Sequence, residues 1–302
     1  LAFDFVTAQV FGQKTTTCQE KQDRNDILVD FAEKLVHVKR CVRVNRRNCV
    51  ANLRHPFHLP NTRFEYLRRK MSDLVQALEA QLIAAFPHLP TTGQGELMHA
   101  FSRFVFSGKP RCGLVVRGYA GTGKTTAIGA FVQVLSEWNI PVVLLAPTGR
   151  AAKVMQAYSG IEASTIHRAI YFASKTRDGA IGQSLAPNLR RRAVFVVDEA
   201  SMIGEGSVRG TEDFAYRSLL DDLMEFVYSG EGCRLVLVGD DAQLPPVGAE
   251  ESPALQLHRL QREFALTAAS VRLTDVVRQE IDSAILLNAH HLRLQVDAAL
   301  TG

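Results

Sequence analysis

The sequence predicts an α/β fold, a parallel sheet flanked by helices, and three observations carry that prediction. Short apolar, β-branched runs (Leu114-Val115-Val116-Arg117, Pro141 to Ala146, Ala193 to Val197, Arg234 to Val238) alternate with helix-period segments, as buried strands alternate with crossover helices. Each run opens directly into polar, chemistry-bearing residues, which places a site along the carboxyl edge of a parallel sheet. The first run leads into Gly118-Tyr119-Ala120-Gly121-Thr122-Gly123-Lys124-Thr125-Thr126, which fits the P-loop pattern G-x-x-x-x-G-K-[ST]. Ala127, Ile128, Ala130, Phe131, Val134 and Leu135 then recur at helical spacing as far as Trp138.

Strand, glycine-rich loop and helix in that order make a nucleotide site of the P-loop NTPase kind. Glycines at 118, 121 and 123 let backbone N–H groups turn inward around phosphates, and the helix N-terminus adds positive potential. Thr122 and Thr126 belong to the same cradle. Lys124 is placed to reach the β- and γ-phosphates of ATP, and the Thr125 hydroxyl to ligate Mg²⁺.

Upstream, Ser72-Asp73 is read as the cap of a helix carrying Leu74, Val75, Leu78, Leu82 and Ile83 on one stripe, ended by Pro87 and Pro90. A second amphipathic helix is expected after Gly93-Gln94-Gly95, through Phe101, Phe104 and Val105. Downstream, Pro147-Thr148-Gly149-Arg150 opens another helix, and Ser164-Thr165-Ile166-His167 starts one more. Asp178-Gly179, between Tyr171 and Leu185, is a hairpin-type turn signal, with an ordinary surface loop as the other reading. A glycine-rich loop (Gly204, Gly206, Gly210) precedes a helix expected from about Asp213 to Val227.

The 302 residues carry a net charge of +4, unevenly spread. Residues 1–70 hold 14 Lys+Arg against 7 Asp+Glu, and the remaining 232 hold 21 against 24. The basic character belongs to the first 70 residues, either as a basic extension or as translation upstream of a start at Met71, the first methionine. The core ATPase domain is expected over 71–270, with a small insertion near 174–190. No run approaches the eighteen or so apolar residues of a membrane span. Five cysteines without a C-x-x-C pair read as free thiols of a reducing compartment, consistent with a cytoplasmic protein. Cys41, Cys49, His55 and His58 do not have standard zinc-finger spacing.

Asp198 directly follows Ala-Val-Phe-Val-Val, where a carboxylate at a strand end meets Mg²⁺ beside the P-loop. Glu199, one residue on, is placed to orient and deprotonate an attacking water. Together with the P-loop they point to nucleotide hydrolysis rather than binding alone.

Five segments in order then carry a family resemblance. Gly118–Thr126, Ala146-Pro147-Thr148-Gly149-Arg150-Ala151-Ala152, Ser164–His167, Val197-Asp198-Glu199-Ala200-Ser201-Met202 and Val238–Gly248 resemble motifs I, Ia, Ib, II and III of superfamily 1 DNA helicases, in the RecD-like and Dda-like branch. Leu273-Thr274-Asp275-Val276-Val277-Arg278-Gln279 resembles motif IV, and Gly93-Gln94 the adenine-reading Q motif. The resemblance covers about residues 72–290 and implies a RecA-like sheet with a second RecA-like domain only begun at 271–302. It implies that Gln94 hydrogen-bonds adenine, Gln243 senses the γ-phosphate, and Arg278 acts as an arginine finger. It also implies that Thr148, Arg150, Thr165 and His167 line a path for single-stranded DNA or a single-strand/duplex junction. Structural readings stand beside these: Thr148 and Thr165 as plain helix caps, His167 as a core histidine. Asp178-Gly179 falls where the family inserts a strand-splitting hairpin. Arg190-Arg191-Arg192 is either a phosphate contact or a solvated loop. Motifs V and VI are absent, so the chain reads as truncated at its C-terminus. A P-loop module acting through a partner is the alternative to a 5′-to-3′ helicase.

Overall fold

The computed structural model describes residues 61–175, 181–204, 218–240, 242–244, 246, 249 and 251–275. Residues 1–60, with the charge-rich segment and the Cys41/Cys49/His55/His58 set, lie outside the described residues. So do Asp178-Gly179, the glycine-rich segment 205–217 and everything from 276 onward, Arg278 included.

Seven helices are described: α1 (Asn61–Ala84), α2 (Thr92–Val105), α3 (Lys124–Glu137), α4 (Gly149–Ser159), α5 (Ile166–Ile170), α6 (Leu219–Ser229) and α7 (Leu257–Glu263). The strands are β1 (Cys112–Gly118), β2 (Val142–Ala146), β3 (Ala163–Thr165), β4 (Tyr171–Lys175), β5 (Ile181–Leu185), β6 (Val194–Val197), β7 (Arg234–Gly239) and β8 (Thr267–Leu273). Six of them form one sheet in the order β3-β2-β6-β7-β1-β8, with every neighbouring pair parallel. This is the predicted α/β architecture, a RecA-like P-loop sheet covered by helices.

The apolar runs form strands because both faces of the sheet are covered, so no position needs to be polar. All four residues of β6 are buried. Phe195 and Val197 pack in one cluster with Leu220, Leu223, Met224 and Val227 of α6. Leu114, Val116 and Val196 are equally buried, and α2 and α3 lock together through the stacked rings of Phe101 and Phe131, 4.0 Å apart. Burying each such ring contributes about 2–3 kcal/mol relative to exposure.

Several local expectations are revised. Helix α1 begins at Asn61, so Ser72-Asp73 sits inside it rather than capping it. Nothing between Asn61 and Met71 breaks a helix, because that stretch holds neither glycine nor proline. Leu78 and Leu82 are buried as the stripe predicts, but Ile83 is 42% exposed, one residue off the face. Gly93 and Gln94 lie within the first turn of α2, where Thr91 and Gln94 make a reciprocal capping box. Helix α6 starts at Leu219, capped by Ser218 and Asp221. Strand β8 was not foreseen. It is an edge strand with most side chains exposed, so it lacks the apolar run that marks an interior strand.

Strands β4 and β5 pair antiparallel, from Tyr171↔Leu185 to Lys175↔Ile181, as a separate two-stranded ribbon. Its base is fixed by the Tyr171 hydroxyl, which donates to Asp222 of α6 at 2.6 Å. No helix among the described residues is long and apolar enough to cross a membrane.

Candidate active site

The P-loop closes where β1 ends. Gly118 is needed for close approach, since a Cβ there would lie 2.8 Å from the Thr122 Oγ1 and 2.9 Å from the Leu273 Cβ of β8. Gly121 and Gly123 hold φ near +80°, a conformation that costs other residues about 1–2 kcal/mol. Thr122 is fully buried and its hydroxyl donates to Tyr119 O at 2.8 Å, pinning the loop from inside.

Lys124 opens α3 and turns its ammonium back into the loop, donating to Gly118 O at 2.5 Å and Tyr119 O at 2.9 Å. Its Nζ also lies 3.7 Å from Asp240 Oδ2 at the end of β7. Burial lowers its pKa, and Asp240, Asp198 and Glu199 oppose that shift. The lysine is thus a largely desolvated cation with one carboxylate at ion-pair distance and the charges of two others acting on it.

Gln94 takes a place that the resemblance does not imply. Its side chain is fully enclosed, with Oε1 accepting from Thr91 N and Nε2 donating to Thr122 O, both at 3.0 Å. The amide expected to meet adenine instead braces the P-loop against the first turn of α2. No face of it is open to a base.

At the end of β6, Asp198 and Glu199 are half-buried. Asp198 Oδ1 accepts from Glu199 N at 2.9 Å, and Oδ2 accepts from the Tyr158 hydroxyl at 2.9 Å. Burial raises the Tyr158 pKa, reinforced by the Asp198 charge, so the phenol stays protonated and donating. Glu199 occupies the left-handed region at φ 53°. Thr125 follows Lys124 in the first turn of α3, and the Asp198 charge acts on Lys124, so hydroxyl and carboxylate both belong to the P-loop end of the sheet. One hydroxyl and one carboxylate, both hard oxygen donors, fit Mg²⁺ in their chemistry. The residues that hold it would be these two.

At the end of β7, Gln243 is exposed, and its Oε1 accepts from the Ser201 hydroxyl at 2.8 Å. Ser201 is buried in the turn that follows Glu199, so the segment after β7 and the turn after β6 are directly joined. On the other flank, the Arg272 guanidinium of β8 donates to the Tyr119 hydroxyl at 2.7 Å. Sequence reasoning gave no role to Tyr158, Ser201 or Asp240. Ser201 and Asp240 had a signal, as members of the segments that resemble motifs II and III, and Tyr158 had none.

The candidate DNA contacts gather at the far end of the same edge, where β2 and β3 pair through Ala146↔Thr165. Thr148 caps α4 by accepting from Ala151 N at 3.2 Å, and Thr165 caps α5 by accepting from Arg168 N at 3.2 Å. A capping hydroxyl uses a lone pair and keeps its proton to donate. Arg150 and His167 are exposed, so the core-histidine reading is set aside. His167 lies instead beside the Tyr171 ring, 5.7 Å between centroids. Arg190, Arg191 and Arg192 are exposed at the amino end of β6, away from this edge, and Arg191 pairs with Glu231. That run is a solvated loop.

The chain is similar in sequence to several known proteins. A family profile described as an AAA domain matches residues 99–301. The ATP-dependent RecD2 DNA helicase of Deinococcus radiodurans is 34% identical over 179 residues, covering 59% of this chain and 21% of that protein. The ATP-dependent DNA helicase dda of Enterobacteria phage T4 is 30% identical over 144 residues, 47% of this chain and 30% of that protein. Among solved structures, the Pif1 helicase from Candida albicans is similar with a TM-score of 0.39 at 20% identity, covering 64% of this chain and 41% of that one. The chain spans less than a third of either curated relative's length. The chain belongs to the AAA domain family and, over part of their length, is similar to the RecD2 and Dda DNA helicases.

Proposed function

We propose that this chain supplies the ATPase wall of a DNA helicase that couples ATP hydrolysis to 5′-to-3′ movement on single-stranded DNA. The observation that carries the reading is the convergence of Lys124, Asp198, Glu199 and Asp240 at the carboxyl ends of β1, β6 and β7. On this reading Lys124 leaves the loop carbonyls and Asp240 for the β- and γ-phosphates. Asp198 and Thr125 hold Mg²⁺, which supplies charge neutralisation on the phosphates. Glu199 orients water and accepts its proton. Gln243 reports the γ-phosphate to β6 through Ser201, and Arg278 completes the cleft as an arginine finger. Thr148, Arg150, Thr165 and His167 contact the backbone and bases of the strand, with the β4–β5 ribbon beside them at the junction.

The test is ATPase activity of the full-length protein with and without single-stranded DNA. Stimulation by DNA, abolished by Lys124→Ala, supports the reading. Hydrolysis indifferent to DNA would return the alternative, a nucleotide-binding module that acts through a partner.

A further inference from the structure

We propose that Tyr158 is a positioning residue for the metal–nucleotide site, holding the Asp198 carboxylate in the orientation in which it receives the cation. The inference rests on the reading of Asp198 as the cation-binding carboxylate. It goes beyond the P-loop and strand-end motifs, because Tyr158 lies 40 residues from Asp198 in sequence and on a different element.

The geometry is specific. A carboxylate rotates about its last torsion unless both oxygens are held, and that torsion is soft in an aspartate. Here both are held: Glu199 N fixes Oδ1 and the Tyr158 hydroxyl fixes Oδ2, each at 2.9 Å. The first donor is backbone and comes with the strand end whatever the neighbouring side chain. The second is supplied by one phenol alone. Each oxygen keeps a further lone-pair site, so the two donors set the plane of the carboxylate and leave it able to accept a cation or a metal-bound water. Tyr158 is itself held, in the last turn of α4 and half-buried against the cleft shared with Thr125, Thr126 and Gly129. Outer groups that orient a ligating side chain set metal affinity as strongly as some ligands do, with losses of about 10–100-fold on removal.

Tyr158→Phe removes only the hydroxyl and preserves the ring that fills the cleft. The readout is affinity for a fluorescent ADP analogue, titrated with and without Mg²⁺ on the full chain, so that neither hydrolysis nor DNA is needed. The expected result is unchanged affinity without the metal and a rise of about 10-fold in the Mg²⁺ concentration that gives half the metal-dependent gain. A native Mg²⁺ requirement would overturn the proposal. So would a lowered one, since the hydroxyl would then be competing with the cation, and so would an equal loss of affinity with and without metal, which marks general damage to the cleft. Should the native protein show no DNA-stimulated ATPase, the helicase reading falls while this titration still decides the role of Tyr158.

Discussion

Strands β6 and β7 lie side by side in register, Val197 against Leu237, and each ends in an aspartate one residue past its last ladder position. The two carboxylates have opposite fates. Asp198 is half-exposed and is held by a phenol and its neighbour's backbone. Asp240 is 3% exposed, accepts from Ala242 N at 2.9 Å and sits 3.7 Å from the Lys124 ammonium. A buried charge without a partner is costly, so Asp240 and Lys124 stabilise each other. Asp198 acts on the same ammonium only from further off, and its two hydrogen-bond donors are a hydroxyl and a backbone amide. The same strand-then-aspartate signature therefore yields a half-exposed carboxylate, proposed as the cation ligand, in one case and an internal counter-ion in the other, and burial is what separates them.

The largest expected effect sharpens the active side of this comparison. Glu199→Gln keeps the backbone donor to Asp198 but removes the base, so ATP turnover is expected to fall by about 10²–10⁴-fold with nucleotide binding retained. Steady-state hydrolysis alongside analogue binding checks it. A loss of binding in parallel would mean that Glu199 serves the site's structure instead.

The second prediction can break the comparison outright. Asp240→Asn leaves Lys124 without its buried counter-ion and is expected to destabilise the nucleotide-free protein by about 1–3 kcal/mol. Asp198→Asn, at a half-exposed carboxylate, is expected to cost less than about 1 kcal/mol while removing the Mg²⁺-dependent gain in nucleotide affinity. Denaturant unfolding of the two variants decides. Equal costs would show that the two aspartates are not divided in this way.

The sequence made the P-loop and the Asp198-Glu199 pair legible because each is local: a strand, a turn and a helix start within ten residues fix where the side chains go. What it could not show depends on approach between distant segments. Gln94 reads as the adenine-contacting amide that the resemblance implies, and only the closeness of Thr122, 28 residues on, reveals it as a brace. Tyr158 looks like one more aromatic at the end of a helix until α4 is laid beside β6. The start of α1 was misplaced because a plausible cap at Ser72-Asp73 outweighed the absence of any breaker before it. Strand β8 escaped notice because an edge position relaxes the apolar pattern that identifies its neighbours.

A third prediction concerns the tie between the two strand ends. Ser201→Ala removes the hydroxyl that holds Gln243 Oε1 and is expected to cost about 1 kcal/mol, with Gln243 itself left intact. If that link carries the γ-phosphate signal, DNA stimulation of the ATPase should fall further than the DNA-independent rate does. Equal reduction of both would reduce Ser201 to a stability contact.

The smallest effect runs opposite to the others. Glu199 is held at φ 53° and ψ 36°, in the left-handed region, where a side chain costs about 1–2 kcal/mol relative to glycine. Part of that relief is offset by the extra chain entropy glycine loses on folding, about 0.5–1 kcal/mol. Glu199→Gly is therefore expected to stabilise the nucleotide-free fold by up to about 1 kcal/mol while abolishing hydrolysis. Glu199→Ala removes the same carboxylate without relieving the backbone and should not stabilise, so the pair separates strain from charge in denaturant unfolding. Strain at Glu199, set against the buried ion pair at Asp240, places backbone tension at the strand end proposed to do the chemistry and charge pairing at its neighbour. A destabilised Glu199→Gly variant would show that no such tension is stored there.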